Sequence, residues 1–290
     1  MFSGAMVALI TPFDNGQVDF NTLDELVEFQ LKSGTNGIVP CGTTGESPTL
    51  SHIEHKQVIE RVVKVVNGKV PVIAGTGSNS TAEAIELTAF ARKVGADASL
   101  QVTPYYNKPT QEGFFQHFAA IAEEVDLPMV LYNIPGRCGA GMTAATIARL
   151  AQIENIVAVK EATGQLDVSS DIANSCDITI LSGDDSLTLP ICSVGGKGVI
   201  SVVANIVPAD VKAMMDLILE GDLVSARKWH NKLFRLSRTM LGMATNPIPV
   251  KAAIALLGMA SEEMRLPMTP LTASQKEELK KLLADYGLKV

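Results

Sequence analysis

The sequence predicts an α/β protein folded as a closed (β/α)8 TIM barrel with a C-terminal helical extension. Three observations predict it. Short β-branched runs recur roughly every 20 to 40 residues, and amphipathic segments lie between them. No glycine-rich dinucleotide fingerprint follows the first run, which favours a closed barrel over a doubly wound sheet.

The strand candidates are residues 5–11, 37–41, 70–75, 98–103, 129–133, 156–160, 178–182 and 198–203, each ending in a polar or Gly/Pro-rich loop. Between them, Leu23, Leu26, Val27 and Leu31 form one apolar stripe, and Val58, Ile59, Val62, Val63 and Val66 another, at the spacing of core-facing helices. Ser51 with Glu54, and Ser80 with Glu83, are spaced as capping boxes that open helices. Beyond a helix over 207–220 no strand pattern remains. Helical stretches over 223–241, 249–257 and 274–286 follow, the last with Leu279, Leu282, Leu283 and Tyr286 in register. The expected division is a catalytic barrel over 1–222 and a helical extension over 223–290, packed on the barrel or on a neighbour, with no low-complexity linker between them.

Composition narrows the function. The chain has 290 residues, 47% hydrophobic and 19% charged, enough for a large core. A net charge of -7, with no run of Lys or Arg, argues against nucleic acid or an anionic membrane as partner and points to a small-molecule substrate. Cys41, Cys138, Cys176 and Cys192 are scattered without metal or redox spacing, so buried thiols in a reduced, cytoplasmic protein are expected. The apolar run over 5–10 has no basic residue before it and Pro12 soon after, and no later stretch reaches the roughly 18 residues of a membrane span.

In such a barrel, chemistry sits at the C-terminal ends of the strands. Ile156-Val157-Ala158-Val159 reads as a strand buried on both faces, and Lys160 ends it. Desolvation disfavours the ammonium, lowering the amine from its reference near 10.4 towards neutrality, and a neutral amine attacks carbonyls. Lys160 is therefore a Schiff-base candidate, against the plainer reading of an ion pair with Glu161 or a loop carboxylate. Its neighbours at the other strand ends are Gly42-Thr43-Thr44-Gly45-Glu46, Gly75-Thr76-Gly77-Ser78-Asn79, Thr103-Pro104-Tyr105-Tyr106-Asn107 and Tyr132-Asn133-Ile134-Pro135-Gly136-Arg137. The set suits carbonyl chemistry on a carboxylate-bearing substrate: an amine for the imine, a phenol lowered near a cation to shuttle protons, hydroxyls and amides for one carboxylate, and a guanidinium for another. No external cofactor and no metal is required. Taken singly, the Gly42–Gly45 segment also reads as a tight turn and Tyr132 as a core aromatic. Asp184 and Asp185 resemble an acid-base or metal pair, but Ser182-Gly183-Asp184-Asp185-Ser186 reads better as a helix-capping loop. Gly75-Thr76-Gly77-Ser78 lacks the lysine of a phosphate loop, and His117 and His230 read as ordinary surface or core residues.

The segments Gly42-Thr43-Thr44-Gly45-Glu46, Tyr132-Asn133-Ile134-Pro135-Gly136-Arg137 and Val159-Lys160-Glu161-Ala162, in this order, closely resemble the dihydrodipicolinate synthase (4-hydroxy-tetrahydrodipicolinate synthase) family of pyruvate-dependent class I aldolases, to which N-acetylneuraminate lyase also belongs. The Thr-Thr pair and Arg137 after Pro-Gly favour the synthase side of that family. The resemblance implies condensation of pyruvate with L-aspartate 4-semialdehyde in the diaminopimelate route to lysine. Lys160 would form the imine, and Tyr132 would donate and accept protons through Thr43 and a Tyr106 supplied by a neighbouring subunit. Thr44 and the backbone of Ile200 would hold pyruvate, and Arg137 the semialdehyde. It also implies a homo-oligomer, commonly a tetramer built as a dimer of dimers.

In lysine-inhibited relatives the inhibitor sits at the tight-dimer interface, and the matching positions are Ser47, Pro48, His52, His55, Asn79, Glu83 and Tyr105. Pro48 departs from the small residue expected there. Glu83 also reads as a helix cap, and His52 with His55 as solvated residues or half a metal site. A sister aldolase acting on a sialic or keto-deoxy sugar acid is the alternative enzyme, and a catalytically dead barrel binding a keto acid or acting as a scaffold is the alternative outside enzymes.

Overall fold

The β-branched runs become eight parallel strands in a computed structural model that describes residues 2–290: β1 Gly4–Ala8, β2 Gly37–Val39, β3 Ile73–Gly75, β4 Ala98–Val102, β5 Met129–Asn133, β6 Ile156–Glu161, β7 Thr179–Ser182 and β8 Gly198–Ser201. They pair in the order β2-β1-β8-β7-β6-β5-β4-β3. The ring closes where Ile38 bridges Val72, with Ile38 N donating to Pro71 O at 2.9 Å and Gly75 N to Pro40 O at 2.9 Å. The expected barrel is therefore present.

Alternation along the strands sorts the core. Met6, Ala8, Val39, Ile73, Leu100, Val130, Tyr132, Ala158, Leu181 and Ile200 form an interior cluster. Residues of opposite parity, such as Val7, Ile38, Leu131, Val159 and Ile180, pack outward against the helices. Each such side chain removed from water contributes about 1.5–3 kcal/mol, so the ring of helices is held by the outward set.

Most strands stop short of the apolar runs that signalled them, for identifiable reasons. Pro71 has no N–H for a ladder, so β3 begins at Ile73. The chain after β8 turns into a 3-10 segment, Val203–Asn205, because the Asp185 carboxylate takes the N–H groups of Val202 and Val203. A small hairpin, Phe13–Asp14 with Gln17–Val18, was not expected; Asn15 and Gly16 take the positive φ angles of 48 and 79 that such a two-residue turn needs.

The helix His52–Val66 opens with the capping box of Ser51 and Glu54. The second box is absent: Ser80 makes no side-chain cap to the helix Thr81–Val94, and Glu83 instead accepts from the Ser78 hydroxyl and pairs with His52 at 2.5 Å. Helices Leu223–Met243, Ile248–Leu256 and Ala273–Tyr286 complete the chain, and their buried residues, among them Leu236, Met240, Ile254, Leu279 and Leu283, share one apolar cluster with β1 and β2. Among the described residues no helix is long and apolar enough to cross a membrane.

Candidate active site

Parity places Lys160 on the inner face of β6, two residues after Ala158, and register sets it beside Tyr132 of β5. The lysine is 5% exposed, and its Nζ lies 4.2 Å from the centroid of the tyrosine ring. Burial pulls the amine down to about 8, against the pull of the Asp185 carboxylate and with a smaller push from the Arg137 guanidinium. At pH 7 roughly a tenth of the amine is then neutral, several hundred times the share of an ordinary lysine.

Tyr132 behaves differently from the sequence expectation. Its phenol is pushed up to about 12, not lowered, because burial outweighs the opposing effects of the Thr43 hydroxyl bonded to it and of the Arg137 cation. At neutral pH the phenol holds its proton and begins as an acid.

Thr44 is buried, and its hydroxyl accepts from Asn246 Nδ2 at 3.0 Å. Arg137, in the short helix Pro135–Cys138, is exposed and donates to the Asn246 carbonyl at 3.0 Å. Asn133 shapes this loop: its amide accepts from Met142 N at 3.0 Å and donates to Met142 O at 3.1 Å, closing the segment that carries Arg137. Ile200 is fully buried in β8 opposite Met6. Thr44, Tyr132, Arg137, Lys160, Asp185 and Asn246 line one cavity of about 310 Å³.

A second cavity of about 490 Å³ adjoins it and shares Arg137 and Asn246. Ser47, Pro48, His52, His55, Glu83 and Tyr105 line it; Asn79 lies behind, its amide donating to the Tyr105 carbonyl at 3.1 Å. His55 is buried with its Nε2 2.6 Å from Gly75 O, and burial lowers its proton affinity. Tyr106 is not brought to the first cavity: it is 90% exposed with a φ of 70.

Of the remaining candidates, Asp184 caps the turn Asp185–Leu187 by accepting from Ser186 N at 3.0 Å, as the sequence suggested. Asp185 does not. It reaches to the end of β8, accepting from the Ser201 hydroxyl at 2.5 Å and Val202 N at 2.9 Å, and burial raises its carboxyl. His117 is buried against Thr81 and lowered to about 4 by desolvation, and His230 stacks on Phe234. Cys41 and Cys138 are buried, while Cys176 and Cys192 are half-buried; all four are free. Among the described residues no three His, Cys, Asp or Glu side chains are grouped to hold a metal. Sequence reasoning missed Asp185 as a wall of the site and Asn246 altogether; the only local signal for the latter was the turn-forming Asn246-Pro247 pair.

Comparison with known proteins agrees over the whole chain. The profile of the Dihydrodipicolinate synthetase family matches residues 1–286. A 4-hydroxy-tetrahydrodipicolinate synthase of Geotalea uraniireducens is 54% identical, with 99% of this chain and 100% of the relative covered. A chloride-inhibited dihydrodipicolinate synthase from Acinetobacter baumannii, crystallised with pyruvate, superposes with a TM-score of 0.97 at 45% identity and full coverage of both chains. The synthase from Cyanidioschyzon merolae with lysine bound gives 0.96 at 43% identity, with 99% of each chain covered. The chain thus belongs to the dihydrodipicolinate synthetase family.

Proposed function

We propose that this chain uses Lys160, Tyr132, Thr43 and Thr44 to condense pyruvate with L-aspartate 4-semialdehyde to 4-hydroxy-tetrahydrodipicolinate, the family's lyase reaction in the diaminopimelate route to lysine. The observation that carries the reading is the placement of Lys160, buried at the mouth of the barrel with its Nζ 4.2 Å from the Tyr132 ring and its amine pulled below the ordinary lysine value by that burial. Lys160 Nζ attacks the keto carbon of pyruvate, and the keto oxygen leaves as water, giving the imine. Loss of a methyl proton gives the enamine, whose carbon attacks the aldehyde while the aldehyde oxygen takes up a proton; the semialdehyde's own amine then adds to the imine carbon, closing the ring as the bond to Lys160 Nζ breaks and the lysine leaves with a proton. Tyr132, protonated at rest, supplies and recovers these protons through Thr43. Thr44 and the backbone of Ile200 hold the pyruvate carboxylate, and Arg137 the carboxylate of the semialdehyde. The imine is the only covalent carrier the reaction needs.

The exposure of Tyr106 supports a relay completed by a second copy, in which Tyr106 enters the partner's site; the assembly is a homo-oligomer, a tetramer arranged as a dimer of dimers. The adjoining cavity is the place for L-lysine as inhibitor: Glu83 meets the amine, and Ser47, Pro48, His52, His55, Asn79 and Tyr105 enclose the rest. The barrel over 1–222 carries the chemistry, the helices over 223–290 cover it, and the protein works in the cytoplasm on small molecules, with no nucleic acid or membrane as partner. The test is turnover. The account expects pyruvate and aspartate semialdehyde to be consumed together and no pyruvate to be released from a sialic or keto-deoxy sugar acid; the reverse preference would assign the chain to a sister aldolase.

A further inference from the structure

The loop that carries Thr43 and Thr44 is held from below by an ion pair that the chemistry does not use. Lys251 is fully buried and Glu46 nearly so, with Nζ 2.6 Å from Glu46 Oε1. The two come from distant parts of the chain: Glu46 ends the Gly42-Thr43-Thr44-Gly45 segment, and Lys251 lies in the helix Ile248–Leu256. Lys251 also donates to Thr11 O at 3.0 Å, and the Thr11 hydroxyl donates to Gly45 O at 2.7 Å, so one ammonium grips the loop both directly and through Thr11. The Phe13 ring, 4.3 Å from Nζ, closes the other side.

The loop needs such a hold. Glu46 has a φ of 54, a left-handed conformation that a residue with a Cβ adopts at a cost, and its N–H is turned back to Thr43 O at 3.2 Å. Gly45 leaves no slack: a Cβ there would stand 2.9 Å from Cys41 N and 3.1 Å from Leu9 O. The turn's own backbone bonds, Glu46 N to Thr43 O at 3.2 Å and Ser47 N to Gly42 O at 3.4 Å, are long and have that strain to offset. Glu46 Oε2 is buried with no hydrogen-bond partner among the described residues, which makes Lys251 the sole donor to that carboxylate.

We propose that Lys251 and Glu46 are positioning residues of the reaction, a buried tether from the C-terminal helices that fixes Thr43 and Thr44 towards Lys160. The inference rests on the roles given above to those threonines. A pair kept only for folding is replaceable by apolar residues of similar volume; a tether is not, because its length sets where the loop sits.

Three variants test this, each followed by melting temperature, by kcat and pyruvate KM, and by borohydride trapping of pyruvate. Glu46→Asp keeps both charges and shortens the tether by one methylene. It is expected to fold and to lose about 10²-fold in kcat/KM for pyruvate, the scale of a displacement of about 1 Å. The double variant Glu46→Leu with Lys251→Met is expected to regain a parental melting temperature while kcat/KM and the trapping rate stay depressed. Thr44→Val, the reference, is expected to raise the pyruvate KM. Parental kinetics in Glu46→Asp, or in a folded double variant, beside an impaired Thr44→Val would overturn the tether alone. Parental kinetics in Thr44→Val would overturn the reading of the loop itself.

Discussion

At the scale of single residues the account turns on two neighbours whose ordinary acidities are pushed in opposite directions by the same burial. Lys160 falls to about 8 and Tyr132 rises to about 12, so at neutral pH the pair offers a partly neutral nucleophile beside a fully protonated acid. The sign fixes a pH dependence: kcat/KM for pyruvate should rise as pH approaches about 8 and flatten above it, since the reactive form is the deprotonated amine. A profile that is flat from pH 6 to 9 would contradict it. Tyr132→Phe should still form the imine but turn over about 10²- to 10⁴-fold more slowly, the range for a lost acid-base group; stopped-flow imine formation compared with steady-state kcat checks this. Lys160 and Tyr132 were legible in the sequence because a lysine and a tyrosine ending apolar β-branched runs have only one place to go in a parallel barrel. The direction of the tyrosine shift was not, because a nearby cation is visible in a motif and the depth of burial is not.

At the scale of elements, loops after the strands do the positioning, and their anchors lie far away in sequence. Asn133 ends β5 and clamps Met142, while its amide also reaches Glu161 at 3.4 Å on β6. Asn133→Ala should leave buried groups of Met142 unpaired, at about 1–3 kcal/mol, and loosen the segment bearing Arg137. The expected outcome is a semialdehyde KM raised about tenfold or more with pyruvate trapping intact, read from two-substrate kinetics. The sequence showed which loops matter but not what pins them. Asn246 and Lys251 carry no motif, and only the return of the C-terminal helices brings the one to the mouth and the other beneath the threonine loop; Asp185 stood in a visible strand-end loop but read there as a capping residue. The Ser80 and Glu83 spacing misled for a related reason: Ser78 and His52, distant from the helix start in sequence or in role, compete for the same carboxylate.

At the scale of the molecule, eight β-branched runs with helical stripes between them were enough to foresee the barrel, because parallel strands need crossovers and their outward faces need covers. Tyr106 stands in solvent in the single chain, so the proposed proton relay calls for a second copy to complete it. Mixed oligomers of Lys160→Ala and Tyr106→Phe should therefore recover activity that neither variant has alone, measured after co-refolding and dilution; a mixture no more active than its parts would remove the shared site. The helices after residue 222 join the same apolar cluster as β1 and β2, so cutting them away should abolish folding as well as the grip on the threonine loop.

The most direct measurement is covalent trapping. The protein is treated with borohydride in the presence of pyruvate, digested, and its peptides weighed. The account predicts a reduced pyruvyl group on Lys160 and on no other lysine, and none at all in Lys160→Ala. Adduct on a different lysine, or undiminished turnover without any adduct, would contradict it.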